Sequence, residues 1–167
     1  MSRMATRLRT ISFATLLGLF ATHAFAQSPA EFINDASAKG MADIEASRLA
    51  HQKTESKEVK DYTIVVINDR TTANQHLAKI AKQLDLPVAP REVVVDKAKA
   101  LMPEVQDGAS FDQAYAASQV KTTEEAIQQL QQQAQSTQVP KIKAFAEETL
   151  PKLQNHLQMA RALQASR

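Results

Sequence analysis

Apolar residues in this chain return every third or fourth position in long runs, and proline-bearing breaks separate the runs. No other feature limits the fold so tightly. The clearest run is Val59, Tyr62, Val66, Asp69, Ala73, Leu77, Ile80 and Leu84. Its spacing matches the 3.6-residue period of an α-helix, and such a helix is about 40 Å long at 1.5 Å per residue. The β-branched stretch Ile64 to Ile67 would suit a strand, but the periodic flanks on both sides place it inside the helix. Only three glycines occur in 167 residues, too few for the turns of a sheet fold or for a Gly-rich phosphate loop.

The breaks carry their own signals. Ser28-Pro29-Ala30-Glu31 reads as a capping box with proline at the first helical position. It opens a helix with Ile33, Ala36, Gly40, Ile44 and Ser47 on one face, ending between His51 and Thr54. Ser56 can cap the next helix. Leu86-Pro87-Val88-Ala89-Pro90 stops it, because each proline disfavours helix at the residue before it. A short helix from about Glu92 to Met102 and a connection from Pro103 to Gly108 follow. Ser110-Phe111-Asp112-Gln113 is a second capping box, leading into Phe111, Tyr115, Ser118, Thr122, Ala126, Leu130 and Ala134 on one face. Gln128 to Gln138 reads as a solvated face running into a loop. Val139-Pro140 begins the last helix, with Ile142, Ala146, Leu150, Leu153, Leu157 and Ala160 inward. Pro151 is expected to kink or split that helix, with Thr149 capping a fresh start.

These elements predict an all-α fold in which two long helical hairpins pair their seams into a four-helix bundle. The connection of about 25 residues between helices two and three of the bundle exceeds an ordinary loop and carries the short extra helix. It is long enough to cross the bundle, so a ferritin-like topology competes with plain up-down-up-down. Val59-Lys60-Asp61-Tyr62 and Ile142-Lys143-Ala144-Phe145 sit at similar places in the second and last long helices, a faint echo of two related hairpins.

The first 26 residues read as an address rather than as part of the fold. Arg3, Arg7 and Arg9 precede the apolar stretch Ile11 to Phe20, and Ala24-Phe25-Ala26 supplies a small-x-small cleavage pattern. The expectation is a cleaved signal peptide over 1–26 and one helical domain over 27–167. No Cys follows the apolar stretch to carry a lipid anchor. Cleavage removes three arginines and no acidic residue, leaving 17 basic against 18 acidic residues and a net charge of −1. That balance lacks the basic footprint of nucleic-acid binding. The remaining chain has no run long enough for a membrane span. Its near-neutral charge argues against association with a membrane surface through amphipathic helices. A soluble periplasmic protein is expected.

Chemistry is harder to find. Zero Cys removes disulfides, thiolate metal sites and cysteine nucleophiles together. A ferritin-like bundle calls for Glu-x-x-His on inward faces. The residues three before His51, His76 and His156 are Arg48, Ala73 and Leu153, so the motif is missing. Asp69 falls on the apolar seam of the second helix, where it needs a partner. Arg48 and Arg70 are within reach as ion-pair partners, and metal ligation is the competing reading. Asp43 and Glu45 read as solvated or capping residues, and His156 as a boundary residue. Asp43, Asp69 and His156 are thus weak candidates for a metal site. No catalytic residue or cofactor is indicated.

Gly40-Met41-Ala42-Asp43-Ile44-Glu45 with Leu49-Ala50, Phe111-Asp112-Gln113-Ala114-Tyr115, and Leu150-Pro151-Lys152-Leu153-Gln154-Asn155-His156 together resemble the bacterial family known as domain of unknown function 4142. The resemblance runs from about Ala30 to Leu163. It implies an exported, ferritin-like helical bundle of the periplasm or outer membrane with no established activity. The family pattern usually has Asp-His where this chain has Asp69-Arg70, a His where it has Thr123, and commonly a Glu where it has Asp43. Of those three histidines only His156 is kept. An arginine in place of a histidine brings a fixed positive charge that repels a cation.

The resulting expectation is a non-catalytic structural or binding protein of the cell envelope. Its partner is an unidentified envelope protein or small ligand, and compartment and family company point to envelope stress. The alternative is a metal-binding or redox bundle with a degenerate ligand set drawn from Asp43, Asp69 and His156.

Overall fold

The computed structural model describes residues 27–101 and 110–166. The expected signal peptide, the 103–108 connection and the Ser110 side chain fall outside the described residues. Within them the fold is all-α, with five helices and no strand. These are α1 Pro29–Lys53, α2 Lys57–Gln83, α3 Arg91–Leu101, α4 Ser110–Ser136 and α5 Pro140–Ala165. No helix among the described residues is long and apolar enough to cross a membrane.

Local chemistry sets the helix ends. Ser28 Oγ accepts from the Glu31 N–H at 3.3 Å and the Glu31 carboxylate accepts from the Ser28 N–H at 3.0 Å, closing the expected capping box. These hydrogen bonds hold the Glu31 carboxyl below its usual range. Ser56 caps α2 through the Val59 N–H. At the other end of α2, Asp85 adopts a left-handed φ of 48°. The Leu86 N–H then reaches back to the Ala81 carbonyl at 3.1 Å, the six-to-one bond that closes a helix when the residue after the C-cap is left-handed. Asp tolerates that conformation better than most side chains. The connection beyond is tied to α1 where the Ala89 N–H donates to Asn34 Oδ1 at 2.8 Å, and α3 packs along α1.

Two apolar clusters show how the long helices run. One gathers Phe32 and Ile33 from the start of α1 and Leu77 and Ile80 from the end of α2. To these it adds Ala126 and Leu130 from the second half of α4, and Ile142 and Phe145 from the start of α5. The other gathers Ala46 and Ala50, Val59 and Tyr62, Phe111 and Tyr115, and Ala160 and Leu163 from the opposite helix ends. Hence α1 and α5 point one way, and α2 and α4 the other. The chain between α2 and α4 must therefore travel the length of the helices. Each large side chain withdrawn from water in these clusters contributes about 1.5–3 kcal/mol. The echoed segments put their aromatics in equivalent roles. Phe145 meets Phe32 edge-on at 6.3 Å and Tyr62 meets Tyr115 edge-on at 6.1 Å.

Three expectations need correction. The α5 helix is not split at Pro151, so Thr149 caps no fresh start there. Pro151 lies on the exposed side, where water can take the carbonyl the proline leaves without a donor. The glutamine tract is a mostly exposed helical face to Ser136 followed by a connection, as expected, except that Gln133 is buried. Most of the residues expected inward on α4 and α5 are buried, among them Phe111, Tyr115, Ala126, Leu130, Ile142, Ala146, Leu153 and Ala160, but part of each face differs. Ala116, Gln119 and Thr123 lie inside α4 where Ser118 and Thr122 were expected, and Phe145, Thr149 and His156 lie inside α5 where Leu150 and Leu157 were.

At one close approach a side chain larger than glycine would meet the end of another side chain. A Cβ on Gly40 would stand 2.4 Å from Asn74 Oδ1, and the same Asn74 amide donates to the Ser37 carbonyl at 3.2 Å. Gly40→Ala must displace that amide, and the lost bond and crowding outweigh the gain of about 0.5–1 kcal/mol that alanine brings to a helix. In an Asn74→Ala background the obstruction is gone, and Gly40→Ala is expected to become stabilising. Urea unfolding of the two pairs of proteins would show the change of sign, and the same sign in both backgrounds would contradict it.

Candidate functional site

Between the two apolar clusters the long helices bury polar side chains. Asp43 of α1 and Arg70 of α2 form an ion pair, Oδ2 to Nη2, at 2.6 Å, with side chains 7% and 9% exposed. His156 of α5 is 1% exposed, and its Nε2 lies 2.8 Å from Oδ2 of Asp69, whose side chain is one-third exposed. A carboxylate only accepts, so Nε2 carries the proton. Tyr62 donates to Gln119 Oε1 at 3.3 Å and also bonds Thr123, while Ser47 and Tyr115 share a hydrogen bond of 2.7 Å. Burial pushes both phenols well above the ordinary tyrosine range. At the edge, Thr63 gives its proton to the Lys60 carbonyl, so it accepts from His51 Nδ1 at 2.8 Å and fixes that ring's tautomer. The layer is well paired but not completely so, because the buried Nε of Arg70 has no partner.

The sequence candidates land in this layer with different partners from those expected. Asp69 pairs with neither Arg48 nor Arg70. Arg48 is exposed and holds Glu45 at 2.6 Å. Arg70 follows Asp69 directly and so points about 100° further round the helix, into the interior towards Asp43. Asp43 is buried rather than solvated or capping, and His156 is a core residue rather than a boundary one. Gln119, Thr123, Ser47 and Tyr115 were not singled out as a polar set. Their one signal was polar atoms at helical spacing on seams that were otherwise small or apolar.

The layer does not suit a cation. Arg70 puts a permanent positive charge against Asp43, and His156 keeps its Nε2 proton for Asp69. Among the described residues no group of three or more His, Cys, Asp or Glu side chains is placed to hold a metal ion.

The family described as domain of unknown function DUF4142 matches residues 16–163, most of the chain. The chain belongs to that family. No curated protein and no solved structure matches it. In this DUF4142 member, Asp43, Arg70 and Thr123 are buried. Asp43 and Arg70 form the ion pair, and Thr123 supports Tyr62, which senses the charges of both.

The buried histidine predicts an acid response. Burial holds the His156 imidazole below the ordinary histidine value, reinforced by the charge of Arg70 and opposed by the hydrogen bond and charge of Asp69 and the charge of Asp43. The folded protein therefore takes up this proton less readily than the unfolded chain. The stability that His156 contributes is complete above the unfolded value of about 6.5. It is lost as pH falls from there through the lower folded value. Denaturant titrations between pH 7.5 and 5 should show the native protein losing more stability than His156→Gln. Equal losses would mean that His156 does not titrate against burial.

Proposed function

We propose that this protein is an exported, periplasmic four-helix bundle of ferritin-like topology with a non-catalytic structural or binding role in the cell envelope, and that it serves under envelope stress. One observation carries the reading. The interior layer, where a ferritin-like bundle would assemble inward-facing ligands, is closed by the Asp43–Arg70 ion pair and the Asp69–His156 bond. Carboxylates and imidazole engaged in this way, beside a permanent cation, are poor ligands and poor proton-transfer groups. The opposed helix directions and the long path between α2 and α4 support the ferritin-like topology. Arg3, Arg7, Arg9, the apolar stretch and Ala24-Phe25-Ala26 support export and cleavage before Gln27. Stress is the part of the reading supported only by compartment and family company.

The test is metal analysis and amino-terminal sequencing of protein recovered from the periplasm of its own cells without chelator. The reading expects an amino terminus at Gln27 and no stoichiometric iron, zinc or copper. Stoichiometric metal whose retention fell in His156→Ala would replace it with the metal-binding alternative based on Asp43, Asp69 and His156. Recovery of the chain only from the cytoplasm would remove the envelope role.

A further inference from the structure

The short helix α3 is held unlike the four long ones. Its principal neighbour is α1, and among its described side chains only Ala98 is fully buried. Val94 and Val95 are half-buried, Val93 is 55% exposed, and Arg91, Glu92, Asp96, Lys97 and Lys99 are all exposed. Its support is undercut at both ends. Where α3 begins, Arg91 and Val94 border an open cleft of about 450 Å3 with Ser37 and Met41 of α1. Where it ends, Ala100 borders a second cleft of about 310 Å3 with Ala42 and Ala46 of α1.

Two polar ties hold this segment to α1. The Ala89 N–H donates to Asn34 just before the helix, and Lys97 pairs with Asp35. No other ion pair joins α3 to the rest of the described residues. Both partners are partly exposed, so the pair adds little stability and salt screens it. An eleven-residue helix without support is marginal in water, and the β-branched run Val93-Val94-Val95 lowers its helix propensity further. Elements with few buried apolar contacts open at a small fraction of the global unfolding free energy. The long helices have no such weakness, because each places several side chains in the apolar clusters.

The position of α3 gives its opening a consequence. Asp43 and Gln119 are buried and form the inner wall of the cleft at its end. Lifting α3 takes Ala100 off the rim of that cleft and widens the way to both. We propose that α3 is a lid. It leaves α1 and unwinds as a unit while α1, α2, α4 and α5 stay folded, and its departure admits water and small solutes to Asp43 and Gln119. Such gated access goes beyond the structural or binding role above and does not depend on it.

The test joins amide hydrogen exchange of the exported protein with thiol labelling of Ala42→Cys. The chain has no cysteine of its own, so the label reports one site. Amides of α3 should exchange about a hundredfold or more faster than those in the middle of α1 and α5. Ala42→Cys should react about tenfold or more slowly than a free cysteine, because Ala42 is buried while the lid is closed. Lys97→Glu sets two carboxylates against each other and should speed both processes by about threefold or more. Adding Asp35→Lys restores an ion pair and should slow both again. Low urea should speed labelling of the interior Ala126→Cys steeply and that of Ala42→Cys only slightly, since lifting the lid exposes far less surface than global unfolding. Protection of α3 equal to that of α1 would overturn the proposal. So would labelling of Ala42→Cys as fast as free cysteine, which would mean a cleft open without the lid. Lys97→Glu speeding α3 exchange but not Ala42→Cys labelling would reduce α3 to a fraying helix that covers nothing. Equally steep urea dependence at both cysteines would mean that the cleft opens only when the whole protein unfolds. The exchange measurement uses the native chain and so stands even where a variant folds poorly.

Discussion

Replacing Arg70 with alanine is expected to destabilise the protein by about 3–5 kcal/mol, because it leaves the Asp43 carboxylate charged, buried and without its counter-ion. Asp43 is 5% exposed as a residue and has no other ion-pair partner among the described residues. The reverse change, Asp43→Ala, strands the guanidinium and should cost a similar amount. Replacing both is a different experiment. The pair is imperfect, since Arg70 Nε has no partner, so the interior bears the desolvation of two charges without every hydrogen bond that would offset it. Asp43→Leu with Arg70→Met should therefore lie near the native protein in stability or exceed it by about 1–4 kcal/mol, as buried pairs often do when replaced by apolar residues. Equilibrium urea unfolding of the four proteins measures this. A cost below about 1 kcal/mol for Arg70→Ala would mean that water reaches Asp43, and the account of a closed layer would be wrong. A double variant as unstable as the singles would show that the pair orders the surrounding helices.

The Arg70 case also shows which parts of this molecule can be read in its sequence. The capping Ser28–Glu31 box, the Ser56 cap and the helix boundaries depend on residues three or four apart, and local spacing revealed them. The partner of Asp69 depends on a contact across 87 positions, which no periodicity encodes. Arg70, as its neighbour in sequence, was a natural guess, but adjacent residues on a helix do not face the same partner. Parts of the α4 and α5 faces were misjudged for a related reason. The α4 seam mixes Ala116, Gln119, Thr123 and Gln133 with its larger apolar residues, and hydrophobicity alone does not separate such positions into inside and outside. The choice falls to hydrogen bonds such as Tyr62 to Gln119, which exist only once the helices have met. The expected split at Pro151 erred in the other direction. A proline rule takes no account of whether the freed carbonyl faces water. The candidate residues Asp43, Asp69 and His156 do share one region, so the sequence located the layer, but its pairing depends on the tertiary fold.

Phe145→Ala is expected to cost about 3–5 kcal/mol, the range for removing a buried phenylalanine, and three features place it towards the upper end. The ring is 2% exposed in the apolar cluster at the start of α5. It makes edge contacts with two other rings, Phe32 at 6.3 Å and His76 at 5.5 Å. It also lines a narrow, partly open cleft bounded by Leu77, Leu130 and Arg70 among others, so truncation would widen a space that the neighbours already leave unfilled. The cost of such a substitution grows with the volume that stays empty. A cycle with Phe32→Ala isolates the ring pair and should give a coupling of about 0.5–1.5 kcal/mol. Ile64→Ala is the matching control. Ile64 belongs to the same β-branched stretch that could have passed for a strand, yet it is 47% exposed, and its loss should stay within about 0.5 kcal/mol. If Ile64 and Phe145 proved equally costly, the rotation of the helices about their axes would have to be revised. A small loss at Phe145 alone would instead mean that the cavity collapses and that this end of the helices packs loosely enough to follow.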